Sequence, residues 1–474
     1  MRKAIVALTL LGALAVGACN FNLTDPNSPP PIGPNATPDQ VRSAAVGLLV
    51  ALRVDVTRWV LNNGILAREA YRLDTADPRF TTELLAGPLD PSNDAFGGGQ
   101  WATEFRAIQS GYAILKVIGS AQIPAGQQDA VRGFVHTMQA VAFLMILNSH
   151  TEDSIPIDVD RAPNQPPAPF VTNDSAYKHV LSLLDSAQTE LQVATAFPFN
   201  LGPGFVGFTT PATFLKVNRA LAARVQAYRA SPFAPGAGCT ACWDTVLTDL
   251  SASFLDPAAP LDFGAYHAYS TGNQDITNAL SQDPKTAIQL AHPMVKDSAE
   301  TQSASTLLDR RFLAKVTDRK GPTDTIADTL SLACLQSALS WLRYPSPSSS
   351  IPIIRNEELI LLRAEANWFS ATPNKAQAVN DLNFIRQTSG NLPISTVTAA
   401  STDAEFVNAL LHERLYSLLY EGHRWVDMRR YGRLGQIIRD RPNACSVQPN
   451  SGITKPDTVF STLPINLFEV QPRQ

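Results

Sequence analysis

The stretch Leu410–Leu434, LLHERLYSLLYEGHRWVDMRRYGRL, constrains the fold more than any other part of the chain. Val407, Leu411, Leu415, Leu418 and Trp425 recur at the spacing of one buried helix face. Gly422 falls on the same face, where a missing side chain lets another backbone come close. Beside that face, Glu421, Arg424, Asp427 and Arg430 form a ladder of charges at i, i+3 steps. Each exposed pair of this kind contributes only about 0.2–0.5 kcal/mol. Set among Tyr420, Trp425 and Met428, the ladder predicts partly buried ion pairs that lock a joint between helices, not a catalytic group.

The same residues carry a resemblance. HERLYSLLYEGHRWVDMRRYG is similar to the E-R-x-x-E-L-x-x-E-G-x-R-W-x-D-x-x-R signature of SusD/RagB-type outer-membrane nutrient-binding lipoproteins. Glu413, Arg414, Glu421, Gly422, Arg424, Trp425, Asp427 and Arg430 match it in order. Ser417 stands where the family carries a second glutamate, which implies that one ion pair is missing. Arg355, Glu358, Leu361, Ala364, Glu365 and Ala366 resemble the family's R-x-x-E-x-x-L-x-x-A-E-A helix, and the closing LPINLFEVQP is a looser match.

The N-terminus gives a second signal. Arg2 and Lys3 precede an apolar run from Ala4 to Val16 that is too short to span a membrane and ends in Gly17, Ala18 and Cys19. It reads as a secretory signal over residues 1–18 and resembles a bacterial lipobox, with Cys19 as the lipidated first residue of the mature chain. Several acyl chains on one residue make a stable anchor, where a single chain binds marginally. Residues 19–37, rich in Pro and Asn, are expected to form an extended tether. Residues 38–474 then form one globular domain, with a loop-rich part over 38–300 and the family-like part over 301–474.

Helices are expected from Thr37-Pro38, a capping residue before a first-turn proline, through Val41, Ala45, Leu48 and Leu52. Further amphipathic stretches run over 101–118, 127–147, 175–194, 210–230, 357–369 and 375–388. In the last pair, Ala378, Leu382 and Ile385 keep the spacing of the second helix of a tetratricopeptide unit. From Tyr71 to Gly99 no helical period holds; a loop of that length in a compact domain is usually functional or disordered.

Several short motifs lack the context their chemistry needs. Gly202–Gly207 fits G-x-G-x-x-G but has no strand before it, and Ser175–Lys178 fits S-x-x-K without its companion boxes. His412-Glu413 begins like a zincin, but Tyr416 stands where the second ligand would be, so no metal site and no cofactor are expected. Cys239 and Cys242, and separately Cys334 and Cys445, are disulfide candidates outside the inner membrane; four thiols on one zinc remain an open alternative. With 38 Lys plus Arg against 42 Asp plus Glu and no basic run, nucleic acid is not an expected ligand.

What remains as chemistry is aromatic loops. Sugars lay their C–H faces on rings while amides and Arg fix the hydroxyls. The candidates are Tyr71, Arg72, Arg79, Phe80 and Phe96 in the first loop, Tyr266 and Tyr269 in FGAYHAY, and Trp341, Arg343 and Tyr344 in WLRYPSPSS. The family resemblance implies a mostly all-α fold of tetratricopeptide-like stacked helix pairs with long irregular loops. It also implies a lipid-anchored protein on the exterior of the outer membrane that binds an oligosaccharide or a peptide, without catalysis, and delivers it to a SusC-like TonB-dependent barrel. Two other readings stay open at this point: a surface lipoprotein hydrolase using two of the many carboxylates, and a scaffold without a small ligand.

Overall fold

The structure is a computed structural model that describes residues 32–151, 155–162, 164–233, 239–273, 275–441 and 455–473. The signal segment, Cys19, most of the tether and Cys445 lie outside those residues.

Helix α1 (Pro38–Arg53) begins as its sequence predicts: the Thr37 hydroxyl accepts from the Gln40 amide, and the Gln40 side chain accepts from the Thr37 amide. It buries Val41, Ala45, Leu48 and Leu52. The chain then turns at Val54-Asp55 and starts α2 (Val56–Leu66), a break and a helix that the apolar pattern did not reveal.

From there the helices follow one another as packed neighbours: α3 (Ala102–Ile118), α4 (Ala125–Ser149), α5 (Asn173–Val193), α6 (Pro211–Ala230) and α7 (Thr240–Ser251). Helix α7 packs on α8 (Asn356–Phe369), which continues through α9 (Lys375–Thr388) to α10 (Asp403–Ser417). This stacking is the tetratricopeptide-like arrangement, in which each pair buries the face its neighbour leaves open. Ala378, Leu382 and Ile385 are fully buried in it. Helix α4 is long and apolar enough to cross a membrane, yet it is buried on nearly all sides as the central helix of the stack.

Between α7 and α8 about a hundred residues leave the stack, and they carry most of the strands. A four-stranded antiparallel sheet runs in the order Ala70–Arg72, Gln289–Ala291, Leu339–Trp341, Val316–Asp318. Tyr71 pairs with Leu290 and Arg72 with Gln289, so the strand after α2 is fixed at the sheet edge. A second ribbon pairs Gly264–His267 with Ile351–Arg355, which leads directly into α8. Cys239 and Cys242 are bonded to one another at the start of α7, and Cys334 is also disulfide-bonded.

The Leu410–Leu434 stretch is two helices, not one. Helix α10 ends at Ser417, and α11 (Arg424–Arg430) starts after a turn in which Tyr420 and Gly422 take φ of 59° and 85°. Glu421 therefore leaves the ladder and meets Arg355 and Arg343 at 3.0 Å each, with the Lys315 ammonium at 3.7 Å. Burial alone would raise the Glu421 carboxyl, but these three cations outweigh it and hold it well below the usual range. Asp427 keeps its i, i+3 partner Arg430 at 2.9 Å and adds Arg414 at 2.7 Å. Glu413 receives Arg311 at 2.7 Å and Arg386 at 2.5 Å. What approaches Gly422 is the ring of Trp59, not another backbone. At Ser417 the hydroxyl donates to Glu357 at 2.7 Å and accepts from Arg311 at 3.1 Å, so a carboxylate from α8 serves where the signature glutamate is missing.

Candidate functional site

Trp341, Arg343 and Tyr344 belong to that joint and not to a ligand site, which corrects the expectation for all three. Trp341 is buried and stacks on Tyr420 with ring centroids 4.1 Å apart and planes within 5°. The buried Tyr344 hydroxyl donates to the Tyr420 carbonyl at 2.9 Å, and Arg343 is spent on Glu421. No ring face at these positions is free for a sugar. Tyr71 is likewise buried, 4.6 Å from the His292 ring, and Tyr269 is buried with its hydroxyl donating to the Arg53 carbonyl at 3.1 Å.

The remaining first-loop candidates do converge. Arg72, Arg79, Phe80 and Phe96 line one cavity of about 390 Å³, a volume within the range of small-molecule sites. The loop reaches this position because Arg72 is held in the sheet while residues 79–82 form a single helical turn over it. The opposite wall is the start of α2, which brings Asp55 and Arg58, and Asn93 comes from the far end of the loop.

The chemistry of the wall differs from an aromatic platform. Phe80 and Phe96 are buried edge to face, centroids 4.8 Å apart. The Arg72 guanidinium lies 4.1 Å over the Phe80 ring and that of Arg79 4.3 Å over Phe96. The rings thus act as a floor, and guanidinium groups form the surface that faces the cavity. Arg79 is bidentate to Asp77, both contacts at 2.9 Å, and these bonds hold the Asp77 carboxyl below its usual range. Arg58 bridges Asp55 at 3.3 Å and Asp94 at 3.4 Å. The side chains of Arg79 and Arg58 remain 43% and 40% exposed, so both keep donors toward solvent.

Sequence reasoning missed Asp55, Arg58, Asn93 and Gln289 in this cavity. Asp55 and Arg58 were hidden by the unforeseen helix break; a polar Asp-x-x-Arg directly after an apolar helix was the available signal. Behind Asp55, which accepts from Gln100 at 3.0 Å, lies the buried Glu104. Burial, reinforced by the Asp55 charge, pushes the Glu104 carboxyl up to about 8. Glu104 is not part of the cavity wall, so this pair does not present an acid and a base to a ligand.

Tyr266 lines a different, more apolar cleft of about 170 Å³ formed by α1 and the Gly202–Gly204 loop. The glycine motif there is a turn, with Gly202 at φ of 79°, packed so closely that a Cβ on Gly204 would meet the Tyr266 carbonyl at 2.1 Å. Among the described residues, Glu300, His412 and Glu413 could by spacing hold a metal. Two guanidiniums already occupy that position: Arg386 bonds both carboxylates and Arg311 bonds Glu413, so the group is an ion-pair network.

Residues 346–461 match the model of the SusD family. The whole described fold resembles a SusD-like carbohydrate binding protein from Bacteroides fragilis, with a TM-score of 0.68 and 14% identity over 92% of this chain and 98% of that one. It also resembles a SusD superfamily protein from Bacteroides vulgatus, with a TM-score of 0.62 and 14% identity over 92% and 97% of the two chains. A laminarin binding SusD-like protein matches with a TM-score of 0.56 and 15% identity over 92% and 98%. No curated protein matches in sequence.

Proposed function

We propose that this chain, SusD-type in its 346–461 segment and SusD-like in fold over nine tenths of its length, binds an oligosaccharide in the cavity around Arg72 and Arg79. The observation that carries the reading is the pair of guanidinium groups held 4.1 and 4.3 Å over the Phe80 and Phe96 rings in the wall of that cavity. Each group offers a flat, weakly hydrated face to a sugar ring and N–H groups at its edge to hydroxyls. Asp77, Asn93 and Gln289 add acceptors and donors around it. The arginines are balanced by Asp55, Asp74, Asp77 and Asp94, so the site favours a neutral glycan over a polyanion.

The ligand is bound without bond cleavage, then passed to a TonB-dependent barrel; the chain is held at the outer-membrane surface through lipid on Cys19. The similarity to carbohydrate-binding and laminarin-binding SusD-like proteins supports the glycan. The lipobox-like N-terminus supports the anchor. Calorimetric titration of the soluble domain against laminarin, starch, mannan and xylan oligosaccharides tests the site. Saturable binding to at least one, lost in Arg72→Ala/Arg79→Ala, with no release of reducing ends, is the expected result. Binding that persists in the double variant, or hydrolysis of the glycan, overturns it.

A further inference from the structure

The apolar cleft on α1 has no part in the binding site described above, yet it adjoins that site. Val54 and Asp55 line the first cavity, while Leu52 and Arg53 line the cleft, so consecutive residues separate the two. Neighbouring Cα atoms are about 3.8 Å apart, which makes the division a single backbone ridge. Val54 is its crest, 52% exposed. Arg53 is pinned by hydrogen bonds to Asp275 and to the Ala268 carbonyl, and the ridge is thereby fixed.

The cleft is built for a ligand with one apolar face. Leu49 and Val50 of α1 and the buried Phe205 supply the apolar walls, and Tyr266 stands half-buried at the rim with its hydroxyl donating to the Asp262 carbonyl. At the inner end is His267, 8% exposed. Its ring nitrogens make no hydrogen bond to the described residues and are not among the buried unpaired polar atoms, so they stay open toward the cleft. Burial and the Arg53 charge push the imidazole down to about 3, so it is a neutral ring with one donor and one acceptor to offer. The same ring borders an internal void of about 40 Å³ beside Trp59, which has room for little more than a water.

We propose that this cleft is a second sugar subsite, which takes another pyranose ring of the oligosaccharide held in the first cavity. The C–H face of that ring lies on Leu49, Val50 and the half-buried Tyr266, and one of its hydroxyls meets His267. The inference rests on the glycan reading of the first cavity and adds to it a requirement for chain length. A ligand that reaches both sides of the Val54 ridge gains the second contact at little further cost in translational freedom, since the first ring already holds it in place.

The test compares disaccharides with hexasaccharides of laminarin, starch, mannan and xylan by calorimetry. It uses the wild-type chain, His267→Phe and Val46→Trp. Val46 is 41% exposed at the mouth of the cleft and is absent from the first cavity, so a larger side chain there closes the cleft from outside. The expected result is a hexasaccharide bound at least about tenfold more tightly than its disaccharide, a gain erased by Val46→Trp while disaccharide affinity stays unchanged. His267→Phe should give the same loss, and Val46→Trp decides the matter if His267→Phe does not fold. Equal affinity for short and long chains, or a length effect that survives Val46→Trp, overturns the second subsite and leaves the first standing. Absence of binding to every oligosaccharide overturns both.

Discussion

The joint around Glu421 and the cavity around Arg79 are built from the same residue types: arginines, carboxylates and aromatic rings. In the joint, Arg311, Arg355, Arg414 and Arg430 are buried and engage carboxylates supplied by other helices, by the turn at Glu421 and by short neighbouring segments. Around the cavity, Arg79 pairs with Asp77 of its own loop, Arg58 pairs with Asp55 one turn before it and with Asp94 of that loop, and both arginines keep an edge in solvent. Burial, not composition, separates a structural lock from a recognition surface. A guanidinium sealed inside the fold beside its carboxylate cannot reach a ligand, whereas a half-exposed one remains available.

The largest way to break this comparison is Glu421→Ala. It leaves Arg355, Arg343 and Lys315 facing one another in a buried space, and removal of one partner from such a set costs about 3–5 kcal/mol. Chemical denaturation should show that loss, while the folded fraction binds glycan normally. A folded, fully stable variant with no binding would reverse the roles of the two regions. Gly422→Ala comes next. Its φ of 85° suits glycine, and a Cβ there would meet the Trp59 ring at 2.4 Å, so overpacking of about 1–3 kcal/mol is expected in the same measurement.

A smaller effect, visible only in its pH dependence, is expected at Glu104. The carboxyl titrates near 4.5 when unfolded and about 8 when folded. A raised folded value stabilises fully below the unfolded value, and that contribution is lost as pH rises through the folded one. Glu104→Gln removes the titration, so the fall in melting temperature between about pH 5 and about pH 9 should be shallower than in the wild type. An unchanged slope would mean that Glu104 is ionised in the fold. The smallest effect on stability belongs to Arg79→Ala, at an exposed guanidinium whose removal should leave melting unaltered and weaken glycan binding. Lost stability without lost affinity would place Arg79 with the joint.

Helices were most legible where a cap and an apolar period coincided. Thr37 receives the capping bonds expected of it, Thr210 caps the helix expected over 210–230, and the α8–α9 pair lies within a residue of its expected bounds, whereas the Thr172 and Thr402 caps went unread. The breaks were not legible. At Val54-Asp55 and again at Tyr420–Gly422 the apolar spacing runs on across a turn, because the residues on either side bury into the same core. The sheet strands are three residues each, too short for an alternating pattern to register. The site was half legible: the loop and its arginines stood out, but which rings would be covered depended on contacts such as Tyr420 on Trp341, seventy-nine residues away in sequence.

The guanidinium groups resting on Phe80 and Phe96 have a consequence for how firmly such a surface can hold a weakly interacting ligand. A free arginine carries about 2 kcal/mol of rotamer entropy, and a ligand that must immobilise it forfeits part of that on binding. Here the ring beneath and the aspartate beside each group have already frozen most of that motion during folding. Hydroxyl contacts that would each be nearly neutral on a mobile surface can therefore add up. Release should be governed by how many of them break at once, not by the loop relaxing.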